Sequence, residues 1–251
     1  MTTKVNYIVA NYIGPLRTYT HYQDLFNKDP LCFFRKHLDF LQTVHNPDQI
    51  STTFVFNDDI DPVIKRQLDD YYPYKFEVLY RKNSGFSYGI WNDTIIRNLN
   101  DYDYFFLIED DYIPTRGDFI TPFLDRCKDK VAFVCGLVEQ ASPERFPGHV
   151  PPNEDTFPFP SISNGLISGK ACKKVYEKYG SVFNINYNTD YWSAYTNQIY
   201  FCKYFTDMGY DIIDTLDEYQ SPYNNANARD VVIYGQGKKP ALLTPIEVPR
   251  A

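Results

Sequence analysis

The chain has 251 residues, with 25 lysines and arginines against 32 aspartates and glutamates and a formal net charge of -7. That balance leaves no extended cationic face for a nucleic-acid backbone, and the length suits a single α/β domain with one substantial core. The five cysteines are odd in number and lack a C-x-x-C pair, and no run of about 18 apolar residues occurs, so free thiols, a cytoplasmic location and no membrane span are expected.

Val5 to Ala10 reads as a buried strand that ends at Asn11 and breaks at Gly14-Pro15. Asp29-Pro30 then supplies a cap and a first-turn proline for a helix on which Leu31, Phe34, Leu38 and Leu41 recur at helical spacing. Thr52 to Phe56 is a second strand, closed by Asn57-Asp58-Asp59, and Asp61-Pro62 starts another helix. Phe76 to Tyr80 is a third strand, followed by Arg81 to Phe86 and a helix over Ser87 to Leu99. Tyr104 to Ile108 is a fourth, ending in Glu109-Asp110-Asp111, and Val131 to Cys135 a fifth.

The second half is expected to differ. Six prolines between Gln140 and Pro160 predict an irregular loop. Ser161 to Ser168 returns to the sheet, Gly169 to Tyr179 is helical, and Asp190 to Met208 makes one longer helix. Asp207, Asp211 and Asp214 read as turn residues, and beyond Asp217 the chain is polar and loop-like. Alternating strands and helices imply a mainly parallel sheet with helices on both faces, and ligands of such sheets bind beyond the carboxyl ends of the strands. Asn11, Asn57-Asp58-Asp59, Arg81 with Asn83, and Glu109-Asp110-Asp111 each follow a different strand, so parallel strands would gather them on one rim.

Three consecutive carboxylates repel one another and suit Mg²⁺ or Mn²⁺, hard ions that bridge protein oxygens to phosphate. The competing reading is a solvated acidic turn. Gly85 and Gly89 would let backbone approach a ligand, Arg81 can hold a phosphate, and a helix N-terminus near Ser87 favours an anion; ordinary loop and helix packing also explains the glycines. Trp91 and Asn92 read as structural.

On these residues the sequence resembles the GT-A glycosyltransferases, and among them the inverting enzymes often called family 2. Glu109-Asp110-Asp111 is similar to their Asp-x-Asp-type motif, Ala10-Asn11-Tyr12 to their first nucleotide-contacting loop, and Asn83-Ser84-Gly85 to their Asn-x-Gly segment. The resemblance covers roughly residues 4 to 210. It implies one GT-A domain over 1–251, with a nucleotide-sugar half (1–115), an acceptor and catalytic half (116–217) and a C-terminal extension (218–251). It further implies Asp111 as direct metal ligand, Glu109 and Asp110 near the ribose and the metal's outer shell, and Asp58 at the base.

Asp190 is the candidate general base by the same resemblance, although an aspartate before a helix also serves simply as its cap. The expected activity is transfer of a sugar from a nucleotide-diphosphate sugar, UDP by default, to a hydroxyl of a glycan or other acceptor, with inversion. A sugar nucleotidyltransferase is the nearest alternative, although Asn11 to Arg17 is a poor match to the Gly-rich basic loop of those enzymes. A non-catalytic sugar-binding protein is the other. None of the four histidines, His21, His37, His45 and His149, lies in the C-terminal region, where many GT-A enzymes place a further metal ligand.

Overall fold

The computed structural model describes residues 3–13, 28–71, 76–114, 116–215 and 243–245. Strand and helix alternate through the first half: β1 (Val5–Ala10), α1 (Cys32–Leu41), β2 (Ile50–Asn57), α2 (Pro62–Asp69), β3 (Phe76–Arg81), α3 (Phe86–Arg97) and β4 (Tyr104–Glu109). After them come β5 (Tyr112–Pro114), α4 (Ile120–Arg126), β6 (Val131–Ala141), β7 (Phe157–Ser168), α5 (Gly169–Tyr179), α6 (Tyr191–Tyr200), α7 (Lys203–Asp207), β8 (Asp211–Asp214) and β9 (Leu243–Pro245). Gly14, Pro15 and the expected extension from 218, apart from 243–245, lie outside the described residues.

Seven strands form one sheet in the order β3-β2-β1-β4-β7-β6-β8. Its strands run parallel except β7, which pairs antiparallel with both β4 and β6. Every residue of β1 is buried, and alternate side chains enter two different cores. Val5, Tyr7 and Val9 join Phe34, Phe40, Leu68, Phe119 and Phe123 from α1, α2 and α4 and their approaches. Ile8 and Ala10 join Trp91, Ile95, Cys172, Val175 and Phe205 from α3, α5 and α7. A strand buried on both faces has no solvent side to mark its period, which is why β1 reads as an apolar run broken only by the buried Asn6.

Asp61 caps α2 as expected, accepting the Val63 N–H at 2.7 Å with Pro62 in the first turn. At α1 the cap is displaced. Asp29 accepts the Leu31 N–H at 3.1 Å, but the helix begins only at Cys32.

Four expectations need correction. The irregular loop is confined to 142–156, because β6 runs on to Ala141 and β7 starts at Phe157, with Pro158 opposite Gln140 and Pro160 opposite Val138. The sheet tolerates these prolines because β4 pairs with β7 only over Gly165–Ser168, so the first half of β7 has no described strand on its other side to miss a donor.

The single helix expected over Asp190–Met208 is two. The Phe201 carbonyl accepts the Asn184 N–H, and the Phe205 N–H turns to Cys202, so the helical ladder breaks between α6 and α7. Asp211 and Asp214 lie on strand β8 rather than in turns. Finally, 243–245 is not loop but a short strand paired with β5.

Candidate active site

Register sets the ends of four parallel strands side by side. Ala10 is level with Val55 on β2 and Glu109 on β4, and Asn57 is level with Arg81 on β3. Backbone and side-chain bonds then lace this rim together. The Asp110 N–H donates to the Ala10 carbonyl at 3.1 Å, and the Tyr12 N–H donates to Asp110 Oδ2 at 3.2 Å. The buried amide of Asn57 accepts from Ile13 N–H and donates to the Ile13 carbonyl, both at 2.9 Å, clamping the chain as it leaves β1. Ala10 and Asn11 are themselves buried, and Asn11 turns its amide back to the Val9 carbonyl at 3.0 Å. Asp58 is exposed, and its N–H is bound to the Arg81 carbonyl at 2.8 Å.

The acidic triplet does not converge on one point. Glu109 accepts the Ser87 hydroxyl at 2.7 Å in the first turn of α3, where unpaired N–H groups favour negative charge. Its own N–H donates to Asn164 Oδ1 of β7 at 2.7 Å. Asp110 is buried, while Asp111 is half-buried at the turn. Among the described residues, no three or more His, Cys, Asp or Glu side chains cluster as a metal cage. The expected repulsion is therefore relieved partly by protein donors. Asp111 could still hold a hard cation such as Mg²⁺ or Mn²⁺, which would complete its shell with phosphate oxygens and water.

The turn is held from below by His37 of α1. Its Nε2 lies 3.1 Å from the Asp110 carbonyl and its Nδ1 2.9 Å from the Tyr7 hydroxyl. A carbonyl can only accept, so Nε2 carries the proton and Tyr7 donates to Nδ1. Burial lowers the His37 pKa to about 4, which keeps the ring neutral and this donor pattern intact near neutral pH.

The segment after β3 is shaped mainly by contacts within the protein. Arg81 donates to the Ser84 carbonyl at 3.0 Å and its hydroxyl at 3.2 Å, and pairs with Asp93 at 2.8 Å, fastening the loop to α3. Asn83 is half-buried in that loop. Gly85 has φ +70°, and a Cβ on Gly89 would lie 2.2 Å from the Ser84 carbonyl oxygen, so both glycines are required by the chain's own close approach. Asn92 is structural, as expected: Oδ1 accepts from Ser181 Oγ and the Val182 and Phe183 N–H groups at 3.0–3.1 Å, and Nδ2 donates to the Tyr187 hydroxyl at 2.8 Å.

Asp190 caps α6, taking the Ser193 N–H at 2.9 Å and the Ser193 hydroxyl at 2.7 Å. Those bonds, the hydroxyl's first, hold its carboxyl below the ordinary carboxylate range. The segment leading to it touches the rim, since the Gly85 N–H donates to the Asn188 carbonyl at 3.4 Å. Exposed rings flank this carboxylate: Tyr187, Tyr191 and Trp192.

No protein-family model matches the sequence, and no curated protein matches it by sequence. By structure the chain is similar to the mannosyltransferase PcManGT from Pyrobaculum calidifontis, solved in complex with GDP-Man and Mn²⁺, with a TM-score of 0.51 and 14% identity over 85% of this chain. The chain spans 55% of the length of that protein. It is also similar to 4-diphosphocytidyl-2C-methyl-D-erythritol synthase from Anaerococcus prevotii DSM 20548, with a TM-score of 0.50 and 14% identity over 85% of this chain and 87% of that one. The fold is that of the GT-A-like nucleotide-diphospho-sugar transferases.

Within this GT-A-like fold, Ala10, Asn11, Asp58, Arg81, Asn83, Gly85, Glu109, Asp110 and Asp111 all lie on or beside the rim, and Asp190 approaches it through Asn188. Sequence reasoning missed His37 and Asn164, both of which bond to the acidic turn, and marked Ser87 as a helix start that favours an anion without its hydroxyl's bond to Glu109. A buried histidine on an otherwise apolar helix face was the one available signal for His37. For Asn164, the polar Ser163-Asn164 pair inside an apolar strand was the signal.

Proposed function

We propose that this chain is a divalent-metal-dependent glycosyltransferase that moves a sugar from a nucleotide-diphosphate donor to an acceptor hydroxyl. The observation that carries the proposal is the turn at Asp110-Asp111: it joins β4 to β1 in the middle of the seven-stranded sheet, where the parallel rim meets β7, is anchored from beneath by His37, and leaves Asp111 half-buried. Asp111 would hold Mn²⁺ or Mg²⁺, and that ion, when bound, supplies charge neutralisation to the departing diphosphate. Asp58, exposed at the end of β2, is assigned to the base, and Glu109 to the ribose. Ala10 and Asn11 shape the floor beneath the nucleotide. Arg81 and Asn83, with Gly85, serve the diphosphate by fixing the loop that faces it.

In the reaction, a bond forms between the acceptor oxygen and the anomeric carbon as the bond from that carbon to the diphosphate oxygen breaks, with inversion. The hydroxyl proton passes to Asp190, which its Ser193 bonds keep ionised and oriented. UDP-sugars come first among donors by the resemblance of the sequence, and the GDP-Man bound by the similar mannosyltransferase places GDP-sugars beside them in the test.

The experiment incubates the protein with UDP-, GDP-, CDP- and ADP-sugars, with and without Mn²⁺, and identifies every product. Metal-stimulated release of a nucleoside diphosphate from one donor, abolished by Asp111→Ala, is the expected result. Pyrophosphate formed from a nucleoside triphosphate and a sugar 1-phosphate would instead identify a nucleotidyltransferase. Donor binding with no turnover would leave a sugar-binding protein.

A further inference from the structure

Among the described residues, five large hydrophobic side chains are exposed, and three of them, Tyr187, Tyr191 and Trp192, lie within six positions of one another around Asp190. Exposed rings cost hydration free energy, so their concentration beside a candidate catalytic carboxylate needs a reason. Trp192 is not a loose surface ring. Its indole stacks on His149 at 3.7 Å and 20°, and His149 is itself fixed by Thr196 Oγ1 at 2.9 Å and by the edge of Tyr195 at 4.7 Å. Gly148, at φ +84°, brings backbone close to the indole edge, where a Cβ would lie 3.3 Å from it. With one face covered, the 55% exposure of Trp192 belongs to the opposite face and the free edge.

We infer that Tyr191 and Trp192, the latter backed by His149, form the acceptor subsite, and that the acceptor is a saccharide whose C–H face lies on the indole. Three features select this occupant. Both rings are flat and neutral, and Trp192 is held on His149 before any ligand arrives, which lowers the entropic cost of binding. Their exposed area, roughly 350 Å² from typical ring areas, is below the roughly 800 Å² per partner of a stable protein interface and matches one or two sugar rings. Asp190 stands next to Tyr191 and accepts hydrogen bonds, so it meets a sugar hydroxyl rather than an acidic or purely apolar ligand. The inference rests on the transferase proposal for the role of the subsite as acceptor site, but the binding of saccharide is separable from it.

The two tryptophans make the test direct, since Trp91 is fully buried and Trp192 is exposed. Acrylamide quenching of indole fluorescence therefore reads Trp192. Gluco-, galacto- and manno-configured oligosaccharides, with and without N-acetyl groups, are titrated into the metal-free protein. At least one is expected to protect Trp192 saturably, with affinity reduced at least tenfold in Tyr191→Ala, which keeps the reporter. In transfer assays, Trp192→Ala should raise the acceptor KM at least tenfold with a smaller change in kcat, and Trp192→Phe should recover most of the loss.

Absence of protection by every oligosaccharide, or an unchanged acceptor KM in Trp192→Ala, overturns the subsite. Protection in a protein that never cleaves a nucleotide sugar in the presence of Mn²⁺ keeps the saccharide site and overturns the transferase proposal instead.

Discussion

At the rim of β1 to β4 the polar side chains are turned inward and bound by backbone groups, whereas around Asp190 the aromatic rings are turned outward on a helix that begins in the open. Asn57, Asp110 and His37 are buried and hydrogen-bonded, so the rim is rigid and its parts depend on one another. Tyr191 is 80% exposed, and Trp192 rests one face on His149 while leaving 55% of its surface open. Substitutions at the rim should therefore cost stability and function together, while substitutions near Asp190 should cost function alone.

The sharpest test of that contrast is Asp190→Asn. Asparagine caps a helix as well as aspartate does, so the thermal midpoint should stay put. Loss of the proposed proton acceptor should slow transfer by on the order of 10²- to 10⁴-fold without weakening donor binding. Because Ser193 holds the Asp190 carboxyl below its ordinary range, wild-type transfer should persist to lower pH than an unassisted aspartate would allow. A normal transfer rate in the variant would remove Asp190 from the chemistry.

On the rim side, His37 supplies a pH-dependent test of stability. Its native pKa of about 4 lies below the unfolded value, so between those two values the unfolded chain binds more protons and stability rises with pH. Stability should thus be full above about 6.5 and fall by on the order of 3 kcal/mol as pH drops toward 4, read from urea midpoints. His37→Gln should flatten that dependence, and a slope as steep as in the wild type would assign it to other groups.

Asn92 joins the two regions, tying α3 to 181–187. Asn92→Ala strands two buried N–H groups and should lower stability by about 2–3 kcal/mol in denaturant titrations. Tyr191→Ala marks the other extreme. At 80% exposure it should shift stability by less than about 0.5 kcal/mol, and a larger loss would mean the ring belongs to the core.

Much of the fold was legible along the chain. The apolar runs of β1 to β4, the Asp61-Pro62 start and the span of α5 all follow from local chemistry acting within a few residues. Errors arose where a distant partner decided. Pro158 and Pro160 look incompatible with a strand until β7 is seen to have one side without a described neighbour there. The break at Phe201 and Cys202 depends on a hydrogen bond from Asn184, which no helical periodicity reports. At the site, the triplet was conspicuous because polar residues ended an apolar strand, but its directions were not: Glu109 turns to Ser87 and Asp110 to Tyr12 only because α3 and β1 lie on either side.

The amino-acid sequence by itself determined the strands β1 to β4, that all four end in polar groups, and that three carboxylates close the fourth. Tertiary structure alone decided that His37 props a carbonyl 73 positions away, that Asn57 clamps Ile13 across 44, and that His149 backs Trp192. Side-chain periodicity encodes only which face of an element is apolar, whereas these contacts depend on strand order and register, which are settled when separate faces bury one another.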